Sequence, residues 1–243
     1  MRGRMWKLAI YLFLLGFILN LLGIVTHVVV SSFAKRWFGK PLPPAFTTDW
    51  FTYAWREFEL SHVLFITLFI ALAVVFIALA IGFPAAYVLA RRNFNAKPVL
   101  LLLYFLPLLI PQMTYGIPLA TTLYGFGVGG TVIGVILAVL VPMVPLAVFI
   151  LLPLMLPGIL TAGLLVLVNT ISNFELAFLL AGGGSQTLVV ALYYNVFAGG
   201  VRPVYSIDAM AVIYMCTVMA VLLVALRFVR PTQMVFRLDG RRN

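Results

Sequence analysis

The chain has 243 residues, 64% hydrophobic and 9% charged, with a mean hydropathy of +1.16 and a formal net charge of +10. This composition excludes a water-soluble domain and defines an integral membrane protein. The positive charge fits basic loops held in the cytoplasm, so nucleic acid is not an expected partner. The single cysteine, Cys216, leaves no internal disulfide to form and is read as a small packed apolar residue.

In chain order, Arg2, Arg4 and Lys7 precede an apolar run from Leu8 to about Val30. The run exceeds the roughly 7–15 residues of a signal-peptide core, so it is expected to stay as a first span over 8–30. Residues 31–61 form the longest polar-flanked connection. Pro41, Pro43 and Pro44 argue against a continuous helix there, while Trp50, Tyr53, Trp55 and Phe58 suggest an aromatic piece at the outer membrane interface. Further spans are expected over 62–90, 98–120, 129–151, 156–180 and 207–229. Between Lys97 and Glu175 the chain runs 77 residues without an ionisable Asp, Glu, Lys, Arg or His. Three spans of about 20 residues account for most of that stretch. The alternation of barrel strands is absent, so helices must satisfy the backbone in lipid.

The expected fold class is therefore all-α: a polytopic membrane protein with six transmembrane helices. Basic residues set its orientation. Arg2, Arg4, Lys7, Arg91, Arg92, Lys97, Arg227, Arg230, Arg237, Arg241 and Arg242 share one side if there are six spans, which makes both termini cytoplasmic. Three regions follow: 1–61 with the first span and the outer interfacial segment, 62–230 as the transmembrane core, and 231–243 as a basic cytoplasmic tail.

No arrangement reads as catalytic, and the chain is not expected to be an enzyme. His27 and His62 stand alone near span ends, no His/Cys/Asp/Glu group has metal-ligand spacing, and no phosphate-binding loop of the Gly-rich Lys-Ser/Thr kind occurs. Gly182-Gly-Gly-Ser185 reads as a flexible outer loop. The polar residues inside the fifth span are more informative. At about 100° per residue, Asn169, Ser172 and Asn173 share one stripe, with Thr170 and Glu175 at its margins. Such a stripe faces either neighbouring helices, through interhelical hydrogen bonds, or a water-filled substrate path. On a continuous helix Glu175 lies 17 residues beyond Gly158, or about 26 Å, close to the outer interface. Pro107, Pro111, Pro118, Pro142 and Pro145 predict bent helices that either line a cavity or pack as kinked units.

The second, third, fifth and sixth expected spans, covering most of residues 60–230, resemble the membrane subunit of a binding-protein-dependent ATP-binding-cassette (ABC) importer. The resemblance rests on Gly82-Phe-Pro-Ala-Ala-Tyr-Val-Leu-Ala-Arg91, Leu106-Pro-Leu-Leu-Ile-Pro111, Leu152-Pro-Leu-Met-Leu-Pro-Gly-Ile159, Asn173-Phe-Glu175 and Gln186-Thr-Leu188. The nearest look is to the spermidine/putrescine-type permeases and their phosphonate and iron relatives. The resemblance implies a bacterial inner-membrane permease, with no cofactor of its own and ATP bound by a separate subunit. The implied partners are a cytoplasmic ABC ATPase dimer, a second permease subunit or a second copy of this chain, a periplasmic or lipid-anchored solute-binding protein, and the lipid bilayer.

One departure bears on coupling. In the family a cytoplasmic helix beginning Glu-Ala-Ala docks the ATPase just before the position of Leu152-Pro153. Here Pro142–Ile150 runs directly into Leu151–Gly158. From Gly129 to Phe174 there are 46 residues, and two spans use about 40, leaving about six for the turn. Leu152, Pro153, Pro157 and Gly158 are thus expected to be a remnant closing a helical hairpin, with ATPase docking weakened or lost. The expected function is a permease subunit of an ATP-driven solute importer. The alternatives are a transport-defective or accessory membrane subunit and an ion-coupled secondary transporter. The last is disfavoured because the acids lie near span ends or in loops.

Overall fold

The computed structural model describes residues 2–156, 158–197 and 202–228. The described residues form ten helices: α1 (Arg2–Phe33), α2 (Asp49–Glu57), α3 (Leu60–Arg91), α4 (Lys97–Leu109), α5 (Gln112–Gly125), α6 (Val132–Leu154), α7 (Gly158–Ile171), α8 (Glu175–Leu180), α9 (Leu188–Phe197) and α10 (Val204–Phe228). Among them extended pairing is limited to one isolated bridge, Ala34 with Phe46. The protein is thus all-α. Among the described residues four helices are long and apolar enough to cross a membrane, or five if the bent pair α4–α5 is one span. Their apolar side chains need lipid. Tyr11, Phe13, Leu19 and Leu22 on α1, like Phe65 and Phe76 on α3, are largely uncovered by protein.

The described residues fall into two compact units, one within Met1–Glu59 and Asn195–Met215, the other within Leu60–Tyr194 and Cys216–Asn243. In the first, the aromatic segment becomes the nine-residue α2. Its rings engage one another: Trp50 and Tyr53 lie 6.2 Å apart and Tyr53 and Phe58 6.1 Å, while Phe51 meets Phe33 of α1 at 4.8 Å. Trp55 stays exposed.

The second unit is organised around α3, α6 and α7, which pack on one another; α4 lies on α6 and α5 on α8. Its core joins Ile70, Val74 and Ala78 of α3, Val135, Val139 and Val148 of α6, Val166 of α7, and Leu176 and Leu180 of α8. Small residues let these helices approach closely, as is usual where lipid removes the hydrophobic drive between them. A Cβ added at Gly82 meets the Ala147 Cβ at 3.1 Å, and one added at Gly163 meets Leu79 at 3.4 Å. At Gly116 it meets Leu176 at 2.9 Å and Leu179 at 3.0 Å, so α5 rests directly on α8.

Two of the expected spans are not continuous. The 98–120 span breaks into α4 and α5, which meet at 95°. The cause is local. Pro111 lacks a backbone donor and pushes Ile110 out of the helical region, where it sits at φ −94°, ψ 136°. The Ile110 N–H still reaches Leu106 O at 3.1 Å, so the break leaves that donor paired. By contrast α6 runs unbroken through Pro142, Pro145 and Pro153. The 156–180 span breaks into α7 and α8, separated by Ser172, Asn173 and Phe174. Here the Asn173 side chain competes with the backbone ladder: its Oδ1 accepts from Leu176 N–H at 3.2 Å. The stripe drawn on a continuous helix, and the 26 Å placement of Glu175 that came with it, therefore do not hold.

Two smaller expectations also change. Gly182–Ser185 is tied down: Gly182 N–H donates to Ser185 Oγ at 2.8 Å, and that hydroxyl donates to Gly130 O at 3.0 Å. Gly130 itself needs its achiral backbone, at φ +75°. The chain after Ser185 forms α9, an apolar helix of ten residues that is too short to register as a span. Cys216 is exposed on α10 rather than packed. Residues 231–243 lie outside the described residues.

Replacing Gly82 by leucine forces α3 away from α6 at the Ala147 contact. The expected cost is about 1–3 kcal/mol, read as a lowered unfolding midpoint of the detergent-solubilised protein.

Candidate functional site

The two helix breaks meet. A cavity of about 610 Å³ is lined by Pro107–Gln112 at the α4–α5 break and by Ser172–Glu175 at the α7–α8 break, with Asn169 of α7 and Met143 of α6 completing it. Asn173 joins the two breaks, its Nδ2 donating to Gln112 Oε1 at 2.8 Å while its Oδ1 holds the Leu176 N–H. Asn169 spends its amide donor on Leu165 O, one turn back on its own helix, at 2.8 Å. Ser172 is exposed at the cavity wall.

Glu175 opens α8 and faces this space. Its Oε2 is buried without a hydrogen-bond partner among the described residues, as is the Tyr115 hydroxyl. Tyr115 lies on α5 within electrostatic reach of Glu175. The cavity lining thus has one carboxylate, neutral amides and a hydroxyl, and no basic side chain.

Of the five residues singled out on the fifth span, Asn169, Ser172, Asn173 and Glu175 come together at the cavity. Thr170 does not line it; it is buried, with its hydroxyl unpartnered among the described residues. Gln112 and Met143 were not anticipated. Gln112 carried a usable signal, since it is a polar residue directly after Pro111 in a span otherwise built of apolar and small side chains.

The segment expected to be a coupling remnant lies at a short link between two helices. α6 ends at Leu154 and α7 starts at Gly158, leaving Met155, Leu156 and Pro157 between them. Met155 takes φ +49°, and its N–H closes on Leu151 O at 2.7 Å. Leu152 is half-buried and Pro153 exposed. Gly158 is buried where a Cβ would strike the Leu154 Cβ at 2.6 Å. Pro157 lies outside the described residues. Among the described residues, no His/Cys/Asp/Glu group is placed to hold a metal ion.

The fold has a counterpart among solved structures. It superposes on a chain of the crystal structure of a bacterial ABC transporter involved in the import of the acidic polysaccharide alginate. The TM-score is 0.68 at 14% identity, covering 96% of this chain and 97% of that one. No family model matches the sequence, and no curated protein matches it. The chain is a helical membrane protein with an ABC-importer-like fold.

A double-mutant cycle on Gln112→Ala and Asn173→Ala, followed by reversible unfolding in detergent, is expected to give a coupling of about 0.6 kcal/mol and no more than about 2. Additive single effects would show that the two breaks are not linked through these side chains.

Proposed function

We propose that this chain is the membrane-spanning permease subunit of an ATP-driven solute importer in a bacterial inner membrane. The supporting observation is the polar cavity built at two facing helix breaks inside an apolar bundle whose fold matches an importer chain. Non-helical backbone at membrane depth is tolerated where it lines a cavity, and discontinuous helices recur at solute sites of transporters. In this reading the polypeptide crosses the membrane six times, counting α4–α5 and α7–α8 as one broken span each, with both termini cytoplasmic. Asn169, Ser172, Asn173 and Glu175 contact the solute, while Gln112 holds Asn173 in place. Thr170 supports the wall from behind.

A lone carboxylate without a basic neighbour in the lining favours a cationic or neutral solute over an acidic one. The chain supplies the path and no chemistry. A separate ATPase dimer binds ATP, a solute-binding protein outside the cell delivers cargo, and a second permease chain or a second copy of this one completes the path.

The short α6–α7 link favours a second reading, an accessory or transport-defective subunit. A turn of three residues without Lys, Arg or an acid offers no helix for an ATPase to grip. In that reading the hairpin keeps the bundle intact while the drive from ATP is lost.

Co-purification with a candidate ABC ATPase co-expressed with the chain separates the two readings. A stable, ATP-hydrolysing complex with the chain as it stands supports the importer subunit. No retained ATPase, with docking restored when a Glu-Ala-Ala helix is inserted between Leu151 and Leu152, supports the second. Reporter fusions are expected to place residues 151–158 on the same side as both termini. In a transporting complex, Glu175→Gln is expected to lower uptake of a cationic solute about tenfold or more, as loss of one charged hydrogen bond of about 1.5–3 kcal/mol implies.

A further inference from the structure

A second cavity, of about 620 Å³, lies in the other unit, at the C-terminal end of α1. Its wall is the segment after α1, which closes on itself. Lys35 N–H donates to Ala45 O at 3.0 Å and Thr47 N–H to Phe33 O at 2.7 Å, on either side of the Ala34–Phe46 bridge.

The rings in the cavity are fixed by hydrogen bonds. Trp37 Nε1–H donates to Lys40 O at 2.7 Å, and the Trp37 backbone N–H donates to Tyr205 Oη at 2.8 Å. Trp50 Nε1–H donates to Ala34 O at 2.9 Å, with its ring 5.7 Å from that of Tyr205. The His27 ring sits 5.0 Å from Trp37. These contacts make the cavity a built feature rather than a gap between loose side chains.

Its charge is positive. Lys35, Arg36 and Lys40 all line it, all are exposed, and none forms an ion pair among the described residues. The lining holds no acid; behind it Asp208 on α10 accepts a hydrogen bond from the Ser31 hydroxyl. Three cations in a lining without a carboxylate leave room for an anion.

The surroundings identify which anion. The exposed apolar surface of α1 ends at this cavity, and the same closed segment presents Phe38 (97% exposed), Leu42 (70%) and Phe46 (66%). Facing water, these side chains would leave a large apolar area unburied at a free-energy cost. Facing lipid they are at home, and Trp37, Trp50 and Tyr205 beside the cations then sit where tryptophan and tyrosine gather at a membrane interface. The anionic group at that depth is the phosphate of a lipid headgroup.

We propose that this cavity binds the phosphate of an anionic phospholipid, with Lys35, Arg36 and Lys40 contacting the headgroup and Trp37 and Trp50 walling it. The site is independent of the solute cavity and of ATPase coupling.

The test is native mass spectrometry of the full chain in detergent, titrated with dioleoyl phosphatidylglycerol or dioleoyl phosphatidylcholine. Phosphatidylglycerol is expected to be retained over phosphatidylcholine. The triple variant Lys35→Gln/Arg36→Gln/Lys40→Gln is expected to weaken its binding at least about tenfold, since each basic residue near an anionic surface contributes roughly fivefold. The triple variant Arg91→Gln/Arg92→Gln/Lys97→Gln removes the same charge elsewhere and is expected to leave binding unchanged. Equal losses in both triple variants, or equal retention of the two lipids, overturns the proposal. Displacement of phosphatidylglycerol by millimolar inorganic phosphate identifies a free-anion site and overturns the lipid assignment. If the first triple variant does not fold, Lys40→Gln alone decides: a loss of roughly fivefold supports the site, and no loss overturns it.

Discussion

The bilayer offers no water to an open backbone group, and the core of this protein is arranged around that constraint. A helix that stops inside a membrane exposes donors and acceptors that only protein or a wet cavity can satisfy. Two helices stop here, at Ile110–Pro111 and at Ser172–Phe174, and each stop is placed against the other. Asn173 spans the gap, giving its amide donor to Gln112 and its acceptor to the first turn of α8. A residue that breaks its own helix also ties that break to a second one.

This pairing needs close helix approach, which the small residues provide. Gly116 brings α5 onto Leu176 and Leu179 of α8, just beyond the two breaks. Gly82 against Ala147, and Gly163 against Leu79 and Val75, seat α6 and α7 on α3. Among such surfaces dispersion falls off steeply with distance, so a bundle without a hydrophobic drive is held by fit. The polar cavity is the place where that fit is interrupted on purpose by proline on one side and asparagine on the other.

The two cavities carry opposite character. The one at the helix breaks holds a single carboxylate among amides and a hydroxyl, and the one at the end of α1 holds three cations among indole rings. In the functions proposed for them, each sign matches a different surrounding: a cationic or neutral solute in the first case, the headgroup layer in the second. The α6–α7 hairpin bears on a third matter, energy supply. Its linking residues are Met155, Leu156 and Pro157, with Met155 at φ +49°, and none of the three is charged.

Much of this was legible in the sequence. The 77-residue stretch free of ionisable side chains made the protein a helical membrane protein, because backbone satisfaction in lipid leaves few other folds. The shortness of the α6–α7 turn followed from counting residues against span length. Asn169, Ser172, Asn173 and Glu175 stood out as polar groups in an apolar setting, although the continuous helix used to align them does not exist. Hydropathy registers how apolar a segment is and is blind to whether it bends. Five central prolines looked equivalent in the sequence, yet of these only Pro111 sits at a break, while α6 runs through Pro142 and Pro145. Whether a proline breaks a helix depends on what its neighbours offer the freed backbone groups, and those neighbours are distant in the chain. The same reason hid the role of Gln112: its partner, Asn173, lies 61 residues away, and only the packing of α5 on α8 brings the two within a hydrogen bond.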